Sequence, residues 1–137
     1  MNILYTAEAV VQGGRAGRGR TSDGHLTVEL SVPKEMGGEG GPGTNPEQLF
    51  AVGYAACFHS ALKLVARRMR VELVDTAVTV EIGLVKRGQG YGLRAAIEAE
   101  LPGVDPAQAR QLVDAAHQVC PYSAAIRGNV EVSVAIA

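Results

Sequence analysis

Residues 25–32 alternate between apolar and polar side chains, with Leu26, Val28, Leu30 and Val32 sharing one face. This is the period-2 signature of a half-buried strand. Residues 18–22 precede them across Asp23-Gly24, a dipeptide that closes tight hairpins because both positions tolerate positive φ. Upstream, residues 3–12 are rich in Val, Ala and Ile and predict a first strand, which ends in the turn Gly13-Gly14-Arg15-Ala16-Gly17. Residues 33–44, PKEMGGEGGPGT, predict a glycine-rich loop. Asn45-Pro46-Glu47-Gln48 then opens a helix: Asn45 suits the N-cap, Pro46 the first helical position and Gln48 the far corner of a capping box. The helix extends to about Arg68 or Arg70, and between Leu49 and Leu62 it is apolar nearly all round, which predicts a central, fully buried helix. Residues 71–86 alternate as a strand, Gly88-Gln89-Gly90 turns the chain, and residues 91–101 return. Asp105-Pro106-Ala107-Gln108 repeats the capping pattern ahead of a second helix, whose Ala109, Leu112, Val113, Ala116 and Cys120 form one apolar stripe ended by Pro121. Residues 129–137 predict a last strand. The order β-β-β-α-β-β-α-β is an α+β arrangement.

The chain has 137 residues, a length that predicts a single domain spanning residues 1–137. Hydrophobic residues make up 47% but aromatics only 4%, with no Trp, so the core rests on Val, Leu, Ile and Ala. Charged residues, at 20%, fall below the usual level of roughly 25%, which points to extra burial such as an obligate dimer. A net charge of −1 gives no bulk electrostatic pull toward nucleic acid, and Arg15, Arg18 and Arg20 read as a solvated local cluster. The N-terminus lacks a basic segment followed by a long apolar stretch. The longest apolar run, residues 49–62, is interrupted by His59 and Ser60 and is shorter than the ~20 residues of a membrane span. The expectation is a soluble cytoplasmic protein with no membrane partner. Two cysteines in that compartment argue against a structural disulfide framework; a disulfide there would be transient and catalytic.

Several motifs bear on chemistry. Gly38-x-Gly40-x-x-Gly43 matches the dinucleotide fingerprint formally, but Pro42 lies inside it and no acidic residue follows at the required distance in a βαβ unit. It reads as a flexible lid or linker. Cys57 and His59, two apart on a helix, point to different faces. His117 and Cys120 are spaced to share a metal, but a closed zinc site takes four ligands and no second pair with ligand spacing exists, so neither metal nor cofactor is expected. A Cys–His nucleophile pair, with His117 as base to either cysteine, stays open, since nothing in the chain fixes that geometry. Cys57 sits in the run YAACFHSAL, and by itself such a cysteine is more often inert packing than a nucleophile. Arg15 in its glycine turn and Glu47 at the head of the Cys57 helix change that balance: a guanidinium near a thiol favours the thiolate, and a carboxylate holds the guanidinium through a bidentate pair.

Three segments, Gly13-Gly14-Arg15-Ala16-Gly17, GTNPEQLFAVGYAACF at residues 43–58 and AHQVCPYSAAIRGN at residues 116–129, closely resemble the organic hydroperoxide resistance (Ohr) family of the wider Ohr/OsmC superfamily, and the likeness covers essentially the whole chain. The resemblance implies an OsmC-like fold with two central helices packed against sheets, in an intertwined homodimer with active sites at the subunit interface. It implies a thiol peroxidase in which Cys57 is the peroxidatic and Cys120 the resolving cysteine, with Arg15 and Glu47 the charged pair that activates Cys57. It further implies organic hydroperoxides, including fatty-acid ones, as substrates, and a dihydrolipoyl group on a lipoylated protein as reductant. The chain departs from the family pattern at His59-Ser60 and at Ala124-Ala125-Ile126, which bear on the pocket. Two other classes share these residues: a redox sensor or binding module that uses the same cysteine pair without turnover, and a metal-binding or hydrolytic Cys–His protein. One constraint is geometric. Ten residues of straight helix rise about 15 Å and turn roughly 80°, so Glu47 and Cys57 do not touch. Arg15 then either lies along the helix, or the helix breaks near Gly53.

Overall fold

The Asp23-Gly24 pair closes a hairpin, as its sequence predicts. The Asp23 carboxylate accepts from the Thr21 hydroxyl at 2.8 Å and from the His25 backbone N–H at 3.0 Å, an Asx-type turn. The computed structural model describes residues 1–137. It groups into two units, Met1–Leu49 and Phe50–Ala137.

The first unit holds an antiparallel sheet in the order β1-β2-β3, formed by β1 (Ala9–Gln12), β2 (Arg18–Thr21) and β3 (Thr27–Glu29). β1 is shorter than the predicted 3–12. β2 offers only four partners, from Ala9↔Thr21 to Gln12↔Arg18, so residues N-terminal to Glu8 have no strand to pair with, and Ile3, Leu4 and Tyr5 stand exposed. β3 is likewise trimmed from 25–32, because His25 is taken by the turn and Leu30 pairs instead with Thr44 in a parallel bridge. That bridge closes the glycine-rich segment. Ser31 N–H donates to Thr44 C=O, Thr44 N–H to Glu29 C=O and Gly40 N–H to Val32 C=O, at 2.9–3.0 Å. Gly43 N–H donates to Ser31 Oγ at 2.9 Å. The segment, read from sequence as a flexible lid or linker, is thus a hydrogen-bonded loop folded back on residues 29–33.

The second unit is built on a sheet of β4 (Ala77–Arg87), β5 (Gly90–Glu100) and β6 (Glu131–Ile136), with β4 and β5 antiparallel and β5 and β6 parallel. A parallel pair needs a crossover, and α2 (Pro106–Val119) with α3 (Pro121–Ile126) provides it. β4 begins at Ala77 instead of residue 71, because Arg70 and Asp75 adopt left-handed φ of 58° and 55° and interrupt the extended run. The Asp105 carboxylate caps α2 by accepting from Ala107 and Gln108 N–H at 3.1 and 3.3 Å, as its sequence predicts. α3 was not foreseen: Pro121 ends α2 but also starts the next helix. Cys120 sits between them with φ −67° and ψ 122°, the extended conformation that a following proline imposes.

α1 spans Pro46–Arg68 without interruption. Asn45 Oδ1 accepts from Gln48 N–H at 2.8 Å, but Gln48 turns its own side chain to the Thr44 hydroxyl at 2.7 Å, so only half of the capping box forms. α1 is not fully buried. Tyr54, Phe58, Ala61, Leu62, Val65 and Ala66 enter the core with Ile97, Leu112 and Val113, whereas Val52 is 71% exposed and Leu49 36%. The core of one chain covers one stripe of the helix, and the all-round apolar sequence leaves the other stripe bare. By length and composition α1 is apolar enough to cross a membrane, which counting an unbroken run missed because His59 and Ser60 interrupt the run while barely lowering its mean. The core packing of Tyr54, Phe58 and Leu62 is that of an internal helix.

Candidate active site

The four residues singled out from sequence form two pairs, one in each unit. In the first unit, Gly13 and Gly14 adopt φ of 84° and 58°, a left-handed turn that glycine makes without strain, and Arg15 follows in a single 3₁₀ turn. Its guanidinium meets Glu47 in a fork: Nη1 donates to Oε1 at 2.7 Å and Nη2 to Oε2 at 3.0 Å. The Glu47 side chain is only 17% exposed and that of Arg15 41%. The paired guanidinium holds Glu47 below its ordinary value of 4.5, and the first turn of a helix favours a carboxylate as well. Because the folded value is depressed, the pair stabilises the fold above the unfolded carboxylate value and loses that contribution as pH falls through the folded one. Chemical denaturation followed from about pH 6 down to about pH 3 should therefore show a steeper loss of stability in wild type than in Glu47→Gln. Parallel profiles would contradict the strength of the pair.

In the second unit, Cys57 on α1 and Cys120 at the α2–α3 junction bring their sulfurs to 3.4 Å, with Cys120 as donor. Both are free thiols, Cys120 fully buried and Cys57 half-buried. Burial pushes the Cys57 thiol above its ordinary 9.0, the neighbouring Cys120 pushes it further, and the Tyr122 backbone N–H works the other way. Within this unit the balance favours the thiol over the thiolate.

The surroundings are aromatic. Phe50 lies edge-on to Tyr122 with centroids 6.0 Å apart, and Tyr54 stands 5.9 Å from Tyr122. Phe58, the residue after Cys57, is fully buried in the core, and Leu49 is exposed. The helix does not break at Gly53. That glycine admits Tyr122, whose hydroxyl and ring edge would lie 3.3–3.7 Å from any added Cβ. Sequence reasoning did not single out Tyr54, Tyr122 or Ser123; the usable signals were Tyr54 one turn before Cys57, and Tyr122 and Ser123 just after Cys120.

His59 and His117 each pair with a hydroxyl rather than with a cysteine. His59 Nε2 shares a hydrogen with Thr76 Oγ1 at 2.8 Å, and burial, with Lys63 nearby, holds it below its ordinary 6.5. His117 Nδ1 pairs with Ser123 Oγ at 2.8 Å. No three His, Cys, Asp or Glu side chains gather as metal ligands would.

The family model described as OsmC-like protein matches residues 37–135. The organic hydroperoxide resistance protein of Xanthomonas axonopodis pv. citri is 48% identical over 136 residues, covering 98% of this chain and 96% of that protein. OhrB of Bacillus subtilis is 41% identical over 133 residues, covering 96% of each. The crystal structure of an organic hydroperoxide resistance protein from Legionella pneumophila superposes with a TM-score of 0.94 at 47% identity, covering 99% of both chains. The chain belongs to the organic hydroperoxide resistance family of OsmC-like proteins.

Proposed function

We propose that this chain is a thiol peroxidase that reduces organic hydroperoxides, fatty-acid ones included, to alcohols, and that it serves resistance to organic peroxide stress. The observation that carries the reading is the pair of free sulfurs at 3.4 Å, one half-buried and one buried. The half-buried Cys57 is the one a substrate reaches. Its thiolate attacks the outer peroxide oxygen, the O–O bond breaks, and the alkoxide takes a proton to leave as alcohol. Cys57 is left as a sulfenic acid. Cys120 condenses with it: an S–S bond forms and the sulfenic oxygen departs as water. A dihydrolipoyl group, free or on a lipoylated protein, opens the disulfide by thiol exchange and is itself oxidised.

Arg15 supplies the cation that Cys57 lacks among its own neighbours, and also the positive charge for the oxygens as the O–O bond lengthens. Glu47 orients Arg15 through the two-point fork. Since α1 is unbroken, about 15 Å of helix separates Glu47 from Cys57, and this role requires the Arg15 side chain to lie along the helix between them. Phe50, Tyr54 and Tyr122 favour an alkyl over a hydrogen peroxide, at about 0.8 kcal/mol per methylene taken out of water.

The same reading has the chain act as one domain over residues 1–137, as a cytoplasmic homodimer. The exposed apolar stripe with Val52 on α1, and Ile3, Leu4 and Tyr5 at the N-terminus, supply apolar surface for a second copy to cover. The test is a coupled assay with dihydrolipoamide as reductant, comparing cumene hydroperoxide with hydrogen peroxide at equal concentration. Catalytic consumption that prefers the organic peroxide is the expected result. A single stoichiometric oxidation with no turnover would instead mark a sensor.

A further inference from the structure

A buried polar chain lies one helical turn from the sulfur pair. Tyr54 is three residues before Cys57 on α1, and Ser123 is three residues after Cys120, so both occupy positions next to a cysteine on their own helices. The Tyr54 hydroxyl and Ser123 Oγ are 2.6 Å apart, and Ser123 Oγ lies 2.8 Å from His117 Nδ1. Tyr54 and Ser123 are both completely buried, Ser123 being the one buried polar residue of the chain, whereas His117 is half-buried. The chain of contacts thus runs from beside the sulfurs toward solvent. The Arg127 guanidinium fastens its outer end by donating to the His117 carbonyl at 2.7 Å.

Each hydroxyl has a single hydrogen to give, so the chain has two orientations. When His117 Nδ1 accepts from Ser123, Ser123 accepts from Tyr54, and the Tyr54 hydrogen is committed. When His117 carries a proton on Nδ1, it donates to Ser123, Ser123 donates to Tyr54, and the Tyr54 hydrogen is free. The second orientation matters when the disulfide is opened. A dithiol attacks the accessible sulfur of Cys57, so the bond to Cys120 breaks and Cys120 leaves as a thiolate. Cys120 has no exposed surface. A thiolate formed there receives no bulk water, and its stability as a leaving group depends on an internal donor.

We propose that Tyr54, Ser123 and His117 form a proton relay that delivers a hydrogen to the buried Cys120 sulfur as the Cys57–Cys120 disulfide is reduced. The electron pair of the S–S bond stays on Cys120. Tyr54 O–H supplies the proton, Ser123 refills Tyr54, His117 Nδ1 refills Ser123, and His117 is recharged from solvent. The relay rests on the peroxidase reading for its place in turnover, and it explains why a polar residue is fully buried beside an otherwise apolar redox pair. Burial first raises the Tyr54 phenol's affinity for its proton, the Ser123 hydrogen bond opposes this, and charge on Cys120 and on Cys57 adds to it. The groups that face His117 are Arg127 and Asp114. Burial first, and then Arg127, lower its affinity for a proton, while Asp114 on α2 opposes them. Asp114 is itself paired with Arg110 at 2.6 Å.

The test uses purified full-length protein oxidised with diamide to the disulfide, then reduced with excess dithiothreitol in a stopped-flow instrument. The rate is expressed per dithiothreitol thiolate. Wild type is expected to speed up as pH falls through the region below 6.5, the ordinary value beneath which His117 titrates. Tyr54→Phe, a near-isosteric change, is expected to be slower by about tenfold or more, the scale of a hydrogen bond to a charged group. His117→Gln keeps a partner for Ser123 but cannot titrate, so its profile should be flat. Thermal melts followed by circular dichroism confirm that each variant is folded. Wild-type rates in Tyr54→Phe, an unchanged pH profile in His117→Gln, or failure of diamide to form the disulfide would each overturn the relay. Since neither reagent is a hydroperoxide or a lipoyl group, a protein that shows these profiles yet turns over no hydroperoxide refutes the peroxidase reading alone.

Discussion

Cys57→Ser should abolish organic hydroperoxide consumption, a loss of at least about 10³-fold and in practice to the background of the assay. A serine hydroxyl is no nucleophile toward peroxide at neutral pH without a strong base beside it, and it cannot form a sulfenic acid. Cys120 cannot take over, because it is fully buried and its sulfur reaches only Cys57, 3.4 Å away. Cys120→Ser should behave differently. It retains one rapid oxidation of Cys57 but then stalls, since the sulfenic acid has no thiol to condense with and drifts to the sulfinic state in excess peroxide. Stopped-flow peroxide consumption, combined with intact-mass measurement of the products, separates the two variants. Equal steady-state activity in both variants and wild type would remove the cysteines from the mechanism.

Arg15→Lys should lower kcat/KM for an organic hydroperoxide by about 10²–10³-fold, the cost of losing a positioned donor to developing oxygen charge. The substitution keeps the charge, so it isolates the geometry. Lysine has one ammonium where arginine has a planar fork, and the fork makes both bonds to Glu47, at 2.7 and 3.0 Å. The same variant should shift the thiol. Burial first, and then Cys120, hold Cys57 above its ordinary 9.0, so with no cation beside it the thiol is protonated at neutral pH. The pH dependence of iodoacetamide labelling at Cys57 should move upward in Arg15→Lys and further in Arg15→Ala. Unchanged labelling profiles would mean that the thiolate draws its stabilisation from another source.

What could be read from the sequence divides along physical lines. Local signals were sufficient where the cause is local: Asp23-Gly24 for the hairpin, Asp105-Pro106 for the start of α2, and the Gly88-Gln89-Gly90 turn that returns the chain as β5. Signals failed where a distant partner decides. The ends of β1 follow from the length of β2, and the bare stripe of α1 depends on how far a single core extends. Pro121 reads equally well as a stop and as a start, so α3 went unseen. The site shows the same split. The pairing of Arg15 with Glu47 crosses 32 positions, and no periodicity points to it; complementary charge suggested it and resemblance to the family assigned it. The buried chain of Tyr54, Ser123 and His117 was invisible for the same reason, since each is an ordinary residue until the folds of α1, α2 and α3 bring them together.

The central claim is that Cys57 and Cys120 form a single redox couple driven by an organic hydroperoxide. The most direct measurement treats the fully reduced protein with one equivalent of cumene hydroperoxide and maps its peptides by mass spectrometry without reduction. The expected result is one equivalent of alcohol released and a Cys57–Cys120 linkage within one chain. Two thiols still free beside unconsumed peroxide, or a disulfide joining Cys57 of one chain to Cys57 of another, would contradict it.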